Sequence, residues 1–393
     1  MRNKRLIPLT ALAAGVALAP IAANAGTLTT LYSFNGGSDG SSPDWLILHG
    51  AYLYGATSGG NGTVFKLKLA TPKKTTLYDF QGGMDGSFPN GFSFIAGALY
   101  GTTGAGGGFG CVGGAGCGTV FAVDPKTGVE TVLYRFSSSS DGGAGGFPQP
   151  GLAYEQSTLY GLTEIGGNQQ ACSYGCGTVF SLNLRNLDET PLYDLVPSNG
   201  YLPGYGVIKV GSTLYGTTTN GGASQDGSIF AYDIATNQES TLYSFGGAAD
   251  GIQSHGQLIY KGGHLYGAME QGGSAHCSCG TLFEYDIDRG IYSAFYSFTA
   301  GADGSFPTGP MILQNDVIYG TTEYGGGTGC GGNGCGTVFA YDLTSTTETI
   351  LYQFSGGQDG ATPYSLIYKS GTLYGVTEGG GAQGFGSVFK LVP

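Results

Sequence analysis

His255 is the residue best suited to moving a proton, because an imidazole gains and loses its charge near neutral pH. Paired with Tyr364, it could supply acid and base for proton abstraction next to a carbonyl, as a polysaccharide lyase requires. Glu164, Glu270, Glu323 and Glu378 offer a second chemistry. Two carboxyls about 5 to 9 Å apart hydrolyse glycosidic bonds, and crowding raises some of their pKa values. The same oxygens could instead hold Ca²⁺, or stand solvated with no role beyond structure. Asp44, Asn90, Gln149 and Thr308 are polar groups of the kind that read sugar hydroxyls, and Trp45 and Tyr205 carry faces on which a sugar ring can stack. The plainer reading of this set is loop residues facing water in an empty channel. No Lys or Arg falls among these positions to neutralise a uronate, so a neutral or amino sugar fits them better than a polyuronate.

These residues are related because they occupy two equivalent positions of a repeat. Leu-Tyr-Gly recurs around Tyr54, Tyr100, Tyr160, Tyr215, Tyr266 and Tyr374, with Ile-Tyr-Gly at Tyr319, at a mean spacing of about 53 residues. An LYxF segment leads into a GGxDGxxP-like loop, then a short apolar run, LYG-x-T, a Gly-Gly loop and GTVF. The residue after the loop proline reads Asp44, Asn90, Gln149, Gly204, His255, Thr308 and Tyr364. The position after LYG-x-T reads Ser58, Gly104, Glu164, Thr219, Glu270, Glu323 and Glu378. Positions alike in every unit serve packing, whereas these two vary and are free to specialise. His255 stands out further, because its unit has Ser254 in place of the proline.

Each unit holds four β-type runs bounded by Gly, Pro, Asp or Asn. Repeats of this length read as blades of an all-β, seven-bladed β-propeller. The innermost strand follows the proline (46–49 in the first unit), LYG-x-T is the second, GTVF opens the third and LYxF is the outermost. No stretch has a sustained 3.6-residue apolar period, so helix should be nearly absent. The segment after residue 25 begins with an unpaired outermost strand, TLTTLYSF, and the chain closes on an unpaired third strand, GSVFKLVP. Joining them completes the last blade with the N-terminal strand and leaves no free edge. The expected division is a leader over 1–25 and one propeller domain over 26–393.

The LYGTTxxGGxxxxGTVF unit resembles the tandem repeat of the bacterial "choice-of-anchor" GloVer-type proteins, over residues 27–393. The resemblance implies a propeller fold and export, and it implies no particular activity. Members often carry a C-terminal sorting anchor. None follows the last blade here, so no cell-wall anchor is expected.

Eight cysteines fall in four close pairs, each in the loop between strands two and three: Cys111 and Cys117, Cys172 and Cys176, Cys277 and Cys279, Cys330 and Cys335. In an exported protein an even count reads as disulfides, here short bridges that shape a surface more than they hold the barrel. The one-residue spacer of Cys277 and Cys279 fits bridge geometry least well. A metal site from His255, His276, Cys277 and Cys279 is the alternative, though the spacing matches no zinc pattern. The recurring Asp of the GGxDG loop (Asp39, Asp85, Asp141, Asp250, Asp303, Asp359) reads as a turn cap rather than a calcium ligand. No Gly-x-Ser-x-Gly elbow or Ser-His-Asp order stands out.

Arg2, Lys4 and Arg5, an apolar stretch from Leu6 to Ile21, and Ala23-Asn24-Ala25 form a secretory leader pattern. The 15 basic and 27 acidic residues give −12, which argues against nucleic acid or an anionic membrane as partner. Aromatic residues at 12 % and charged residues at 11 % exclude a disordered chain. The expected protein is secreted or periplasmic, monomeric and free of cofactors, and recognises an extracellular glycan. A glycan-cleaving enzyme and a protein-interaction scaffold are the alternatives.

Overall fold

The computed structural model describes residues 26–108, 110–111, 114–137, 145–167, 169–273 and 277–393. The expected leader, Asp141 and His276 lie outside them. In the first blade the repeat folds as Pro43–His49, Tyr52–Thr57, Thr63–Lys68 and Lys73–Asp79, hydrogen-bonded in that order from the channel outward. The same order recurs in seven sheets, and the seventh is completed by Thr27–Ser33 pairing antiparallel with Ser387–Val392. The chain is thus a seven-bladed β-propeller closed by its N-terminal strand. Helical structure among the described residues is limited to single 3-10 turns such as Gly37–Asp39, and no helix there is long and apolar enough to cross a membrane.

The core lies between blades. A Cβ on Gly55 of the Leu-Tyr-Gly strand would stand 2.2 Å from the ring of Phe65 on the neighbouring third strand, and the same pairing recurs at Gly375 and Phe389 at 2.3 Å. Glycine is needed because that ring lies flat on the backbone. The phenylalanine then meets the LYxF phenylalanine of the preceding blade edge-on, as Phe34–Phe65, Phe80–Phe121 and Phe298–Phe339 do with centroids 5.2 Å apart. At the loop end of these strands, paired hydroxyls tie strand two to strand three, Thr57 to Thr63 and Thr103 to Thr119 at 2.9 Å.

A second set of contacts fixes each innermost strand. The residue before the loop proline has positive φ, from 51° at Leu202 and Thr362 to 57° at Phe88, and Gln253, before the serine that replaces the proline, has 61°. The backbone amides of Phe88, Phe147, Leu202, Phe306 and Thr362 donate to the carbonyls of Asn61, Cys117, Cys176, Cys279 and Cys335 in the preceding blade, at 2.8–3.1 Å. The proline ring packs where that blade's Gly-Thr glycine has no side chain: a Cβ on Gly62 would lie 2.2 Å from Pro89, and one on Gly280 2.3 Å from Pro307. The innermost strand therefore begins at the proline in the first blade, as Pro43–His49 rather than at Leu46, and two residues before it in others, as Ser87–Ile95 and Ser305–Gln314. Between blades 4 and 5 Ser254 replaces the proline, its Oγ is buried without a partner, and the innermost strand shortens to Ile259–Lys261.

The loop aspartates close the turns, as their sequence context implies. Asp39, Asp85, Asp250, Asp303 and Asp359 each accept a hydrogen bond from the tyrosine seven residues earlier, at 2.7–3.2 Å. Each also accepts from the backbone amide four residues earlier, at 2.7–2.8 Å.

Candidate functional site

The segments at the loop proline, with the ends of the second strands, bring polar side chains to the channel mouth. Asp44, Asn90, Gln149, His255, Tyr364 and Glu378 line a single cavity of about 280 Å³, together with Tyr205. Thr308 and Glu323 line an adjoining cavity of about 100 Å³ that shares Tyr364 and Glu378. The two rings read from the repeat thus meet in part: of the second ring Glu323 and Glu378 line these cavities, whereas Glu164 and Glu270 do not. Not every member is available to a ligand. Asn90 donates from Nδ2 to Pro148 O at 2.8 Å and accepts from Thr102 Oγ1 at 2.6 Å, which ties blade 2 to blade 3.

Trp45 departs from its expected place. It is 7 % exposed, its Nε1 donates to Phe92 O at 2.8 Å, and it stacks on Tyr205 at 6.2 Å between centroids. Asp44 is the extra residue of a bulge, since Pro43 pairs with Thr57 and Trp45 with Ala56, and the bulge turns Asp44 to the mouth while Trp45 packs inside. Because the indole touches blade 2 and stacks on a residue of blade 4, it crosses the channel and fills it beneath the mouth. Trp45 therefore offers no open face for a sugar to stack on; Tyr205 lines the pocket but is 2 % exposed and stacked on Trp45, so the half-buried Tyr364 is the pocket's accessible ring.

Carboxyl groups dominate the electrostatics. Burial pushes Asp44 well above the usual carboxylate range, with the charge of Glu378 adding to it, and its Oδ1 has no hydrogen-bond partner. Glu378 is raised to about 7 by burial and then by Glu323. Glu270 is raised by burial and by Glu323 against the opposing pull of His255, and Glu164 by burial against the same imidazole. His255 Nε2 stands 3.5 Å from Glu270 Oε2, so the structure pairs this imidazole with Glu270 rather than with Tyr364. The Tyr364 phenol is raised by burial, then by Asp44 and Glu378. A carboxyl that keeps its proton near neutrality can act as a general acid or as a hydrogen-bond donor.

The structure also brings forward groups that the repeat pattern did not single out. Tyr324 follows Glu323, whose hydrogen bond and charge raise its phenol. It lines a groove of about 650 Å³ with Phe306 and the Cys277–Cys279 bridge. The one available signal was the run of differing residues one place beyond the glutamates. All four cysteine pairs are disulfides, including Cys277–Cys279. Two of the four proposed metal ligands are thereby consumed, and no group of three or more His, Cys, Asp or Glu among the described residues is arranged to hold a metal ion. Of the other histidines, His49 stacks on Phe94 and His264 pairs with Glu284.

No curated protein matches the chain. Among solved structures, an oligogalacturonate lyase in complex with manganese is 12 % identical, with a TM-score of 0.56 over 95 % of this chain and 94 % of its own. An oligogalacturonate lyase from Vibrio parahaemolyticus is 10 % identical, with a TM-score of 0.53 over 93 % of each chain. The GH74 enzyme of Niastella koreensis is 14 % identical, with a TM-score of 0.58 over 90 % of this chain and 53 % of its own. At such identities the likeness is one of fold. The family model described as the Gloeobacter/Verrucomicrobia repeat matches residues 17–172 and 166–389. With repeats matched through nearly every blade, the chain belongs to the Gloeobacter/Verrucomicrobia repeat family.

Proposed function

We propose that this protein is an exported glycan-binding propeller whose ligand sits in the pocket at the channel mouth. The observation that carries this reading is the convergence of Asp44, Gln149, His255, Tyr364 and Glu378 on one cavity of about 280 Å³ above a plugged channel. Planar polar groups beside the Tyr364 ring match the mixed surface of a sugar, which is polar at its rim and apolar on its faces. The leader pattern supports export, and the four disulfides suit an oxidising compartment, extracellular or periplasmic. The large exposed apolar side chains, among them Met84, Tyr174, Ile291 and Phe385, come from several blades, which favours a pocket ligand over a broad protein-docking patch. Calorimetric titration of the protein with a panel of oligosaccharides tests the reading. Saturable binding that Tyr364→Ala weakens at least tenfold is expected; no binding across the panel would reject it.

A glycan-cleaving activity at the same pocket is the second reading. It is favoured by the 3.5 Å pair of His255 with Glu270 and by a Glu378 carboxyl held near 7. Two fold neighbours are named as oligogalacturonate lyases and one as a GH74 enzyme. The acidic mouth disfavours a polyuronate, so hydrolysis of a neutral or amino glycan suits it better than a lyase reaction. Mass spectrometry of products decides the matter: cleavage lost in His255→Ala supports an enzyme, with one water added for a hydrolase and none for a lyase.

A further inference from the structure

We infer that the pocket is built for a glycan bearing free, protonated amino groups. The inference rests on the glycan reading above and adds the ligand's charge. Its first ground is composition. Asp44 from blade 1, Glu323 from blade 6 and Glu378 from blade 7 line the mouth, Glu270 from blade 5 and Glu164 from blade 3 act on His255 beside it, and His255 is the one basic side chain in the two rings. The second ground is independent of charge. Tyr205, 2 % exposed, lines the cavity, and its hydroxyl has no hydrogen-bond partner among the described residues. The same holds for Oδ1 of Asp44, buried at the same mouth.

Two buried oxygens without partners cost free energy until a ligand supplies hydrogen. An ammonium group has three donors and no acceptor, and it also cancels the repulsion among the carboxylates around it. A neutral hydroxyl meets the first need but not the second. An N-acetylated amine offers a single N–H and no charge. The titratable groups that interact with Glu378 are Glu323 and Tyr324 from blade 6, Asp44 from blade 1 and Tyr364 from its own blade, and the carboxyls among them favour a cation there. Binding an ammonium should therefore expel protons from carboxyls that the empty pocket keeps protonated.

The experiment compares three oligosaccharides of equal length by calorimetry: a fully deacetylated glucosamine oligomer, its N-acetylated counterpart and a glucose oligomer. The amine form should bind at least tenfold tighter, weaken as salt is raised, and give a heat that varies with the buffer's ionisation enthalpy. Glu378→Gln should reduce that preference while leaving the fold intact by circular dichroism. Equal or tighter binding of the acetylated or glucose oligomer overturns the amine inference and leaves the glycan reading standing. If spermidine binds and no sugar does, the amine site holds and the glycan reading fails. Stoichiometric binding of Ca²⁺ that Glu378→Gln abolishes and no amine displaces would make the cluster a cation site and reject the proposal.

Discussion

Trp45 and Glu378 show how far the role of a side chain depends on what stands across from it. The indole is a structural plug, so its substitution is expected to act on stability. Trp45→Phe loses the donor to Phe92 O and should cost about 1–3 kcal/mol in chemical denaturation, with ligand affinity little changed. An affinity loss without a stability loss would mean that the indole meets the ligand after all. Glu378 acts through pH. Its folded pKa of about 7 lies above the ordinary value of 4.5, so the native state holds a proton that the unfolded chain has lost across that interval. Stability must then fall as pH rises from about 4.5 to about 7, and stay low above it. Glu378→Gln should flatten that fall by about 1–2 kcal/mol, read from denaturation midpoints at pH 5 and pH 8. A steeper dependence in the variant would contradict the assignment.

At the scale of elements, the junctions between blades carry unequal latches. Lys74 on the outermost strand of blade 1 reaches the loop aspartate Asp39 at 2.8 Å. The equivalent residue of blade 2 is Glu130, raised to about 7 by burial and then by Asp85, with an Oε1 that has no partner. Glu348 repeats this against Asp303, also near 7. One junction is an ion pair, and two press carboxyls together. Glu130→Lys should convert the second kind into the first and raise stability by about 1 kcal/mol, more at pH 8 than at pH 5. No gain at pH 8 would show that a lysine introduced there cannot reach Asp85 as Lys74 reaches Asp39. None of this was legible along the chain, because the partners lie in neighbouring units and the pairing appears only once the sheets are stacked. The strands themselves were legible. Gly55 and Phe65 do the same local work in blade after blade, and a contact made seven times leaves a pattern that one unit alone would hide. The mouth residues followed from register with the loop proline. The direction of Trp45 did not, since it depends on the space left by Gly91 and on Tyr205 three blades away.

For the molecule as a whole, closure is the feature on which the other contacts depend. The strand Thr27–Ser33 supplies the outer edge that Ser387–Val392 would otherwise expose. Removing it should lower the melting temperature and lead to association through the bared strand, visible by light scattering. A truncated protein that stays monomeric with unchanged melting would show that the ring does not need this seam. The pairing also means that the repeating stretch of sequence is offset by one strand from the blade it builds. A gene that gains or loses one whole repeat by unequal recombination would still encode two complementary ends, and the ring would seal at six or eight blades. The mouth would not survive that exchange unchanged. Each repeat brings its own residues to the mouth, and Trp45 meets Tyr205 only across a ring of this width. Copy number in such a lineage is therefore free with respect to folding and constrained by what the centre holds.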